Sequence, residues 1–292
     1  MSTAEDGPGS SRRRSRGSGR RALGQNFLAD TNLLEAIVRD AGLEGDEVVL
    51  EVGGGEGALS RLLAARVREL HVVELDERLR GRLEEVAAEH PNVSLRIADA
   101  MRLDLAELDP EPTAVVSNLP YSIATPLLVR TIAELPLVRR WTVMAQREIA
   151  DRWRAAHGSR VYGAPSVLVQ LACDVELLRA VDPAVFRPRP RVASALVRLD
   201  RRRPAAGEAL ARLVRAAFAH RRKALAGSLE LAGVGPGRER VVAALADLGL
   251  ARDARAEALS PEQFRELGRA LADGGEPGRS RGRSRGSGLR SA

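Results

Sequence analysis

The side chains most able to do chemistry fall at the ends of short apolar runs. Gly53, Gly55 and Gly57 follow the run EVVLEV at 47–52, Glu74 stands at the end of ELHVVEL at 69–75, and Asp99 follows VSLRIA at 93–98. A Gly-rich turn lets backbone approach a ligand closely, because Gly has no Cβ and tolerates positive φ. Glu74 lies 21 residues beyond Gly53, where an acid on a second strand can accept hydrogen bonds from both hydroxyls of a ribose. Asp99, in the context ADAM, is placed to accept from an adenine amine. The glycine spacing is G-x-G-x-G with Glu56 inside it, not the G-x-G-x-x-G that sets a helix N-terminus against a pyrophosphate. A carboxylate in that loop opposes a phosphate anion. The set therefore suits an adenosyl cofactor that has no phosphate and carries a positive charge, S-adenosylmethionine, and disfavours a nicotinamide dinucleotide.

The tetrapeptide NLPY at 118–121 follows a fourth apolar run, TAVVSN at 113–118. Methyl transfer to an amine conjugated with a purine ring needs little base catalysis. It does need the nitrogen lone pair aimed in line at the methyl group. The Asn118 side-chain carbonyl and the Leu119 backbone carbonyl can accept the two amino hydrogens, Pro120 stiffens the turn, and Tyr121 offers a face on which a base can stack. Such a pocket reaches its atom only after the base leaves its own stack.

These residues need a sheet to place them. Short apolar runs alternate with amphipathic patterns from Glu47 onward, which predicts βαβ units and a parallel sheet. WTVMAQ at 141–146 adds a fifth strand, and stretches at 173–181 and 193–199 complete seven. The fold class is α/β, a Rossmann-like seven-stranded methyltransferase sheet with a small C-terminal all-helical domain. After RRRP at 201–204 the pattern is helical through LARLVRAAFAHRRKALAGSL, RERVVAALADLGL and SPEQFRELGRALAD, with Ser260 as N-cap and Pro261 in the first turn. The expected boundaries are residues 22–200 for the sheet domain and 205–274 for the helical one.

Of 292 residues, 44% are hydrophobic, ample for a core. The single cysteine, Cys173, forms no internal disulfide and no thiolate metal cluster, which fits a reducing cytoplasm and predicts no metal. No apolar run approaches the roughly 20 residues of a membrane span, and the N-terminus has no signal-peptide core. The formal charge of +7 is carried by the ends: six Arg against Glu5 and Asp6 in residues 1–21, and five Arg against Glu276 in residues 275–292. Both tails are Gly/Ser/Arg-rich and are expected to be disordered, either strengthening sequence-independent RNA binding or solubilising the chain.

With GQNFL at 24–28, EVGGGEGAL at 51–59, VVELD at 72–76, ADAM at 98–101, NLPYSIATPLL at 118–128, GSRVYG at 158–163, VFRPRPRVASALVRL at 185–199 and FAHRRKALAGSL at 218–229, the chain resembles the ribosomal RNA adenine dimethyltransferase family, particularly its small-subunit branch. The likeness runs from about residue 20 to 275. It implies dimethylation of two adjacent adenosines near the 3′ end of small-subunit rRNA within a pre-ribosomal particle; separately from the resemblance, a monomer is expected. It also implies that Asn26 and Leu28 contact the cofactor along with Gly53, Gly55, Glu74, Asp99 and Asn118. Phe186 would lie against the flipped adenine opposite Tyr121, and Arg221, Arg222 and Lys223 would be phosphate contacts or merely solvated helix charges. The chain departs from the family pattern in reading GGG for G-P-G, in Ser122 for Asn, and at Ala164 and Pro165. Two rivals are the large-subunit resistance branch, some members of which carry Arg/Gly-rich tails, and a non-catalytic RNA-binding assembly factor.

Overall fold

The computed structural model describes residues 26–273; the Arg-rich tails at 1–21 and 275–292 lie outside the described residues. In chain order the elements are β1 (Phe27–Leu28), α1 (Thr31–Ala41), β2 (Val48–Val52), α2 (Ala58–Ala64), β3 (Glu69–Glu74), α3 (Arg80–Glu89), β4 (Val93–Ile97), β5 (Ala114–Asn118), α4 (Ala124–Glu134), β6 (Arg140–Gln146), α5 (Arg147–Trp153), α6 (Ala164–Gln170), β7 (Cys173–Val181), β8 (Phe186–Arg187), β9 (Ser194–Arg201), α7 (Glu208–Phe218), α8 (Leu225–Leu231), α9 (Arg238–Asp247) and α10 (Pro261–Asp273).

Seven strands form one sheet in the order β4-β3-β2-β5-β6-β9-β7. Pairing is parallel from β4 to β6, whereas β9 runs antiparallel to both β6 and β7. The sheet is therefore mixed, not parallel throughout. Residues 182–193 between β7 and β9 carry no α-helix, and without a crossover helix two strands so joined meet antiparallel. A second, unexpected sheet pairs β1 with β8.

The inner parallel strands β2, β3, β5 and β6 are buried on both faces, as helices on each side require, while the edge strand β4 is only partly buried. Leu50 and Val52 of β2 join the apolar layer that holds Leu127, Leu128 and Ile132 of α4 and Trp153 of α5. Val49, on the opposite face, joins Leu34 and Ile37 of α1 and Leu59 and Leu63 of α2. A third core belongs to the C-terminal helices, with Val214, Leu229, Leu245, Phe264 and Leu267, and it also takes Tyr162, Val167 and Leu168 from the stretch before β7. The stretch with a helical pattern from 210 to 229 is interrupted, since α7 ends at Phe218 and α8 starts at Leu225. The break turns the chain so that Leu225 and Leu229 are buried in the third core. Ser260 caps α10 as expected: its Oγ accepts from the Gln263 amide at 3.2 Å while Gln263 Oε1 accepts from the Ser260 amide at 2.9 Å. Among the described residues no helix is long and apolar enough to cross a membrane, and no cluster of His, Cys, Asp and Glu could hold a metal ion.

Candidate active site

The chain leaves β2 toward β3 and β4 on one side and returns to β5 and β6 on the other, so strand order reverses between β2 and β5. In open α/β sheets the crevice at the carboxyl ends of such strands is the place for a ligand. A cavity of about 350 Å³ lies there, walled by the ends of β2, β3, β4 and β5 together with Asn26, Phe27 and Leu28. It brings together Asn26, Leu28, Gly53, Gly55, Glu74, Asp99, Asn118, Leu119, Pro120 and Tyr121, ten positions drawn from five regions of the chain.

Local geometry explains why glycine occupies the first turn. Gly53, Gly55 and Gly57 have φ of 85°, 59° and 81°, values that cost an L side chain about 1–2 kcal/mol each. The loop also packs hard against its neighbours. A Cβ on Gly54 would lie 2.5 Å from Val72 and one on Gly57 2.6 Å from Val86, whereas one on Gly53 would make an ordinary 3.5 Å contact with the Asn118 carbonyl oxygen. Glu74 is buried, and its carboxylate is fixed at both ends: Oε2 accepts from the Gly55 amide at 2.9 Å and Oε1 from the Asp76 amide at 2.8 Å. Each oxygen keeps lone pairs for further donors. Asp99 Oδ1 accepts from the Met101 amide at 2.9 Å.

Asn118 Nδ2 donates to the Asn26 carbonyl at 3.3 Å, which leaves the side-chain oxygen as an acceptor. The Tyr121 hydroxyl meets Ser194 Oγ at 2.6 Å, tying the turn after β5 to the start of β9. Tyr121 is half-buried, and burial raises its phenol pKa against a smaller opposing effect of the Ser194 hydrogen bond.

Two groups of expected site residues lie elsewhere. Phe186 is fully buried, pairs through its backbone with Leu28, and belongs to the apolar layer around Leu34 and Leu196; it is not a wall of the cavity. It sits behind β1, which supplies the wall instead. Arg221, Arg222 and Lys223 are exposed in the turn between α7 and α8 and do not line the cavity, so they are not on a helix. Arg221 donates to the Arg160 carbonyl at 3.1 Å.

One cavity residue was not anticipated. Glu51 in β2 is 1% exposed, and its Oε2 has no hydrogen-bond partner. Burial pushes its carboxyl up to about 8; the Ser60 hydroxyl opposes this and the charge of Glu74 adds to it. In the sequence Glu51 shows only as the second acid of the run EVVLEV, enclosed by Leu50 and Val52, with nothing to mark its burial. Among the described residues, Glu51, Glu56, Glu74 and Asp99 line the cavity and no Lys, Arg or His does. Such a wall suits a ligand with positive charge and repels a phosphate, so the residues present fit S-adenosylmethionine.

Residues 16–273 match the family model described as ribosomal RNA adenine dimethylase. The ribosomal RNA small subunit methyltransferase A of Rubrobacter xylanophilus is 44% identical over 255 residues, covering 87% of this chain and 95% of that protein. Its namesake from Rhodospirillum rubrum is 42% identical, covering 86% and 88%. Among solved structures, 23S rRNA methyltransferase ErmE is 33% identical with a TM-score of 0.63, covering 85% of this chain and 100% of that one. A dimethyladenosine transferase from Plasmodium falciparum shares the fold, with a TM-score of 0.71 at 23% identity over 82% of this chain and 95% of that one.

Proposed function

The chain belongs to the ribosomal RNA adenine dimethylase family, and from that premise we propose that it dimethylates N6 of two adjacent adenosines near the 3′ end of small-subunit rRNA, with S-adenosylmethionine as methyl donor and a pre-ribosomal particle as substrate. The observation that carries the reading is a single cavity that joins an acid-lined crevice, free of basic side chains among the described residues, to the NLPY turn. The relatives named for the small subunit are more similar in sequence than the 23S enzyme, which favours the small-subunit substrate over the large.

S-adenosylmethionine, when bound, supplies an electrophilic methyl group on a cationic sulfur. Glu74 would accept from the ribose hydroxyls with a carboxylate already oriented by two backbone amides, and Asp99 from the adenine amine. Gly53 and Gly55 would let the loop backbone close on the cofactor, and Asn26, Leu28 and Asn118 would complete its surroundings. On the substrate side, the Asn118 side-chain oxygen and the Leu119 carbonyl would accept the two hydrogens of the target amine. That holds the lone pair in line with the methyl group, a positioning effect that needs no strong base. Pro120 keeps the turn rigid, and Tyr121 presents its ring to the extruded base. Phe186 would reach the base only if β8 separates from β1. The exposed Arg221, Arg222 and Lys223 suit phosphate contacts on the docking side. Residues 22–200 would act as the catalytic domain and 205–274 as the docking domain, the apolar core of the C-terminal helices being shared with Tyr162, Val167 and Leu168 of the first.

The test supplies the protein with labelled S-adenosylmethionine and either unmethylated small-subunit or unmethylated large-subunit particles, then locates dimethyladenosine by mass spectrometry. Product confined to the large subunit refutes the assignment. Asn118→Ala is expected to abolish turnover while cofactor affinity stays within about tenfold of wild type; unchanged turnover removes Asn118 from its role.

A further inference from the structure

Oε2 of Glu51 has no hydrogen-bond partner, yet Glu51 is the most deeply buried acid in the cavity wall. It is set there by strand geometry. Side chains alternate across a strand, so Glu51 shares a face with Val49, and that face belongs to the apolar layer of Leu34, Leu59, Leu63, Val72 and Val116. Every element packed around it is poor in compensating charge. Leu34 stands on α1 and Leu59 on α2; the neighbouring polar group on α2 is Ser60, a neutral hydroxyl that favours the ionised carboxyl but brings no charge. Among the described residues, the other titratable groups of the cavity are Glu74 on β3, Glu56 in the glycine loop, Asp99 after β4 and Tyr121 after β5; three of these are acids, and no cationic side chain lines the wall.

A buried carboxylate without a counter-ion is strongly disfavoured, and the group takes up a proton instead. A ligand that brings positive charge into the cavity removes that constraint. Resting on the reading that S-adenosylmethionine fills this cavity, we propose that Glu51 is a proton-linked counter-ion for the cofactor: neutral in the empty protein, ionised in the loaded one, its proton leaving to solvent as the cation enters. The carboxyl loses one proton and gains one negative charge, which balances the positive charge that binding introduces. Loading is then governed by pH through a residue that is part of the cofactor wall and distant in role from the NLPY turn. Below the pH at which empty Glu51 titrates, affinity rises with pH, by about tenfold per unit while the loaded form stays ionised.

The test is calorimetry of S-adenosylmethionine binding to the full chain at pH 6.5 in two buffers of different ionisation enthalpy, for wild type and Glu51→Gln. Wild type is expected to release between about one half and one proton per cofactor bound, and the variant close to none. Between pH 6 and pH 7 wild-type affinity is expected to tighten about tenfold and that of the variant to stay level. Binding without net proton release, or equal release from both proteins, overturns the proposal and leaves the cofactor reading intact. Absence of cofactor binding by folded wild type overturns both. Carboxyl ¹³C NMR of the empty wild-type protein decides the matter even if Glu51→Gln does not fold: a Glu51 resonance titrating near pH 8 supports the proposal, and one titrating in the ordinary carboxylate range refutes it.

Discussion

Replacing Tyr121 by Phe separates the ring of this residue from its hydroxyl. The hydroxyl meets Ser194 Oγ at 2.6 Å, and Ser194 is 0% exposed. Tyr121→Phe leaves the Ser194 hydroxyl buried without that partner, a loss of about 1–3 kcal/mol. Ser194→Ala leaves the Tyr121 hydroxyl unpaired, but Tyr121 is only half-buried and can reach water, so the cost is nearer about 0.5–1.5 kcal/mol. Removing both partners leaves no stranded group, and the double variant should be more stable than the sum of the singles predicts by about 1 kcal/mol. Urea unfolding of the four proteins measures this coupling. Activity divides differently. Tyr121→Phe keeps the stacking face and should lose less than about tenfold in kcat/KM. Tyr121→Ala forfeits base stacking of about 1–3 kcal/mol, or roughly 5- to 150-fold. Additive stabilities within about 0.5 kcal/mol, or equal losses of activity for Phe and Ala, would refute the reasoning.

Glycine substitutions should sort by local space. Gly54→Ala places a Cβ 2.5 Å from Val72, and Gly57→Ala places one 2.6 Å from Val86 at a φ of 81°; each should destabilise by about 1–3 kcal/mol or more in chemical unfolding. Gly81→Ala, inside α3 with nothing within 4 Å, should instead stabilise by about 0.5–1 kcal/mol. Ser260→Ala breaks the capping box of α10 and should cost about 0.5–2 kcal/mol, read as a lower Tm with unchanged activity per folded molecule. For Glu51 the folded pKa is about 8 and the reference value is 4.5. The neutral carboxyl favours the fold fully below about pH 4.5, and this advantage is lost as pH rises toward 8. The stability of empty wild type relative to Glu51→Gln should therefore fall between pH 5 and pH 8, and a gap independent of pH would contradict it.

Much of this architecture is legible in the sequence because strand, turn and acid recur in a fixed phase. The seven apolar runs become the seven strands, and Gly53, Glu74, Asp99 and NLPY meet because parallel strands deliver their C-terminal ends to one edge of a sheet. Strand direction is less visible, since a run such as ALVRL reads alike whichever way it lies, and only the helix-free link of residues 182–193 hints that β7 and β9 are antiparallel. The two-residue strands β1 and β8 are too short to show any periodicity, so their pairing, and with it the burial of Phe186 behind Leu28, depends on tertiary contacts alone.

Glu51 marks the limit of pattern reading most sharply. A strand buried on both faces has no polar side against which an acid could be judged out of place, so EVVLEV yields a core strand whichever way Glu51 points. Only the packing on its own face distinguishes the two acids at the tips of β2 and β3. Glu74 meets two backbone amides and stays oriented for donors. Glu51 meets apolar side chains and one hydroxyl, and its Oε2 is left without a partner. The same residue type a strand apart thus acts as a fixed acceptor in one place and a proton reservoir in the other. That difference arises from the number of N–H groups within reach, and sequence spacing does not encode it.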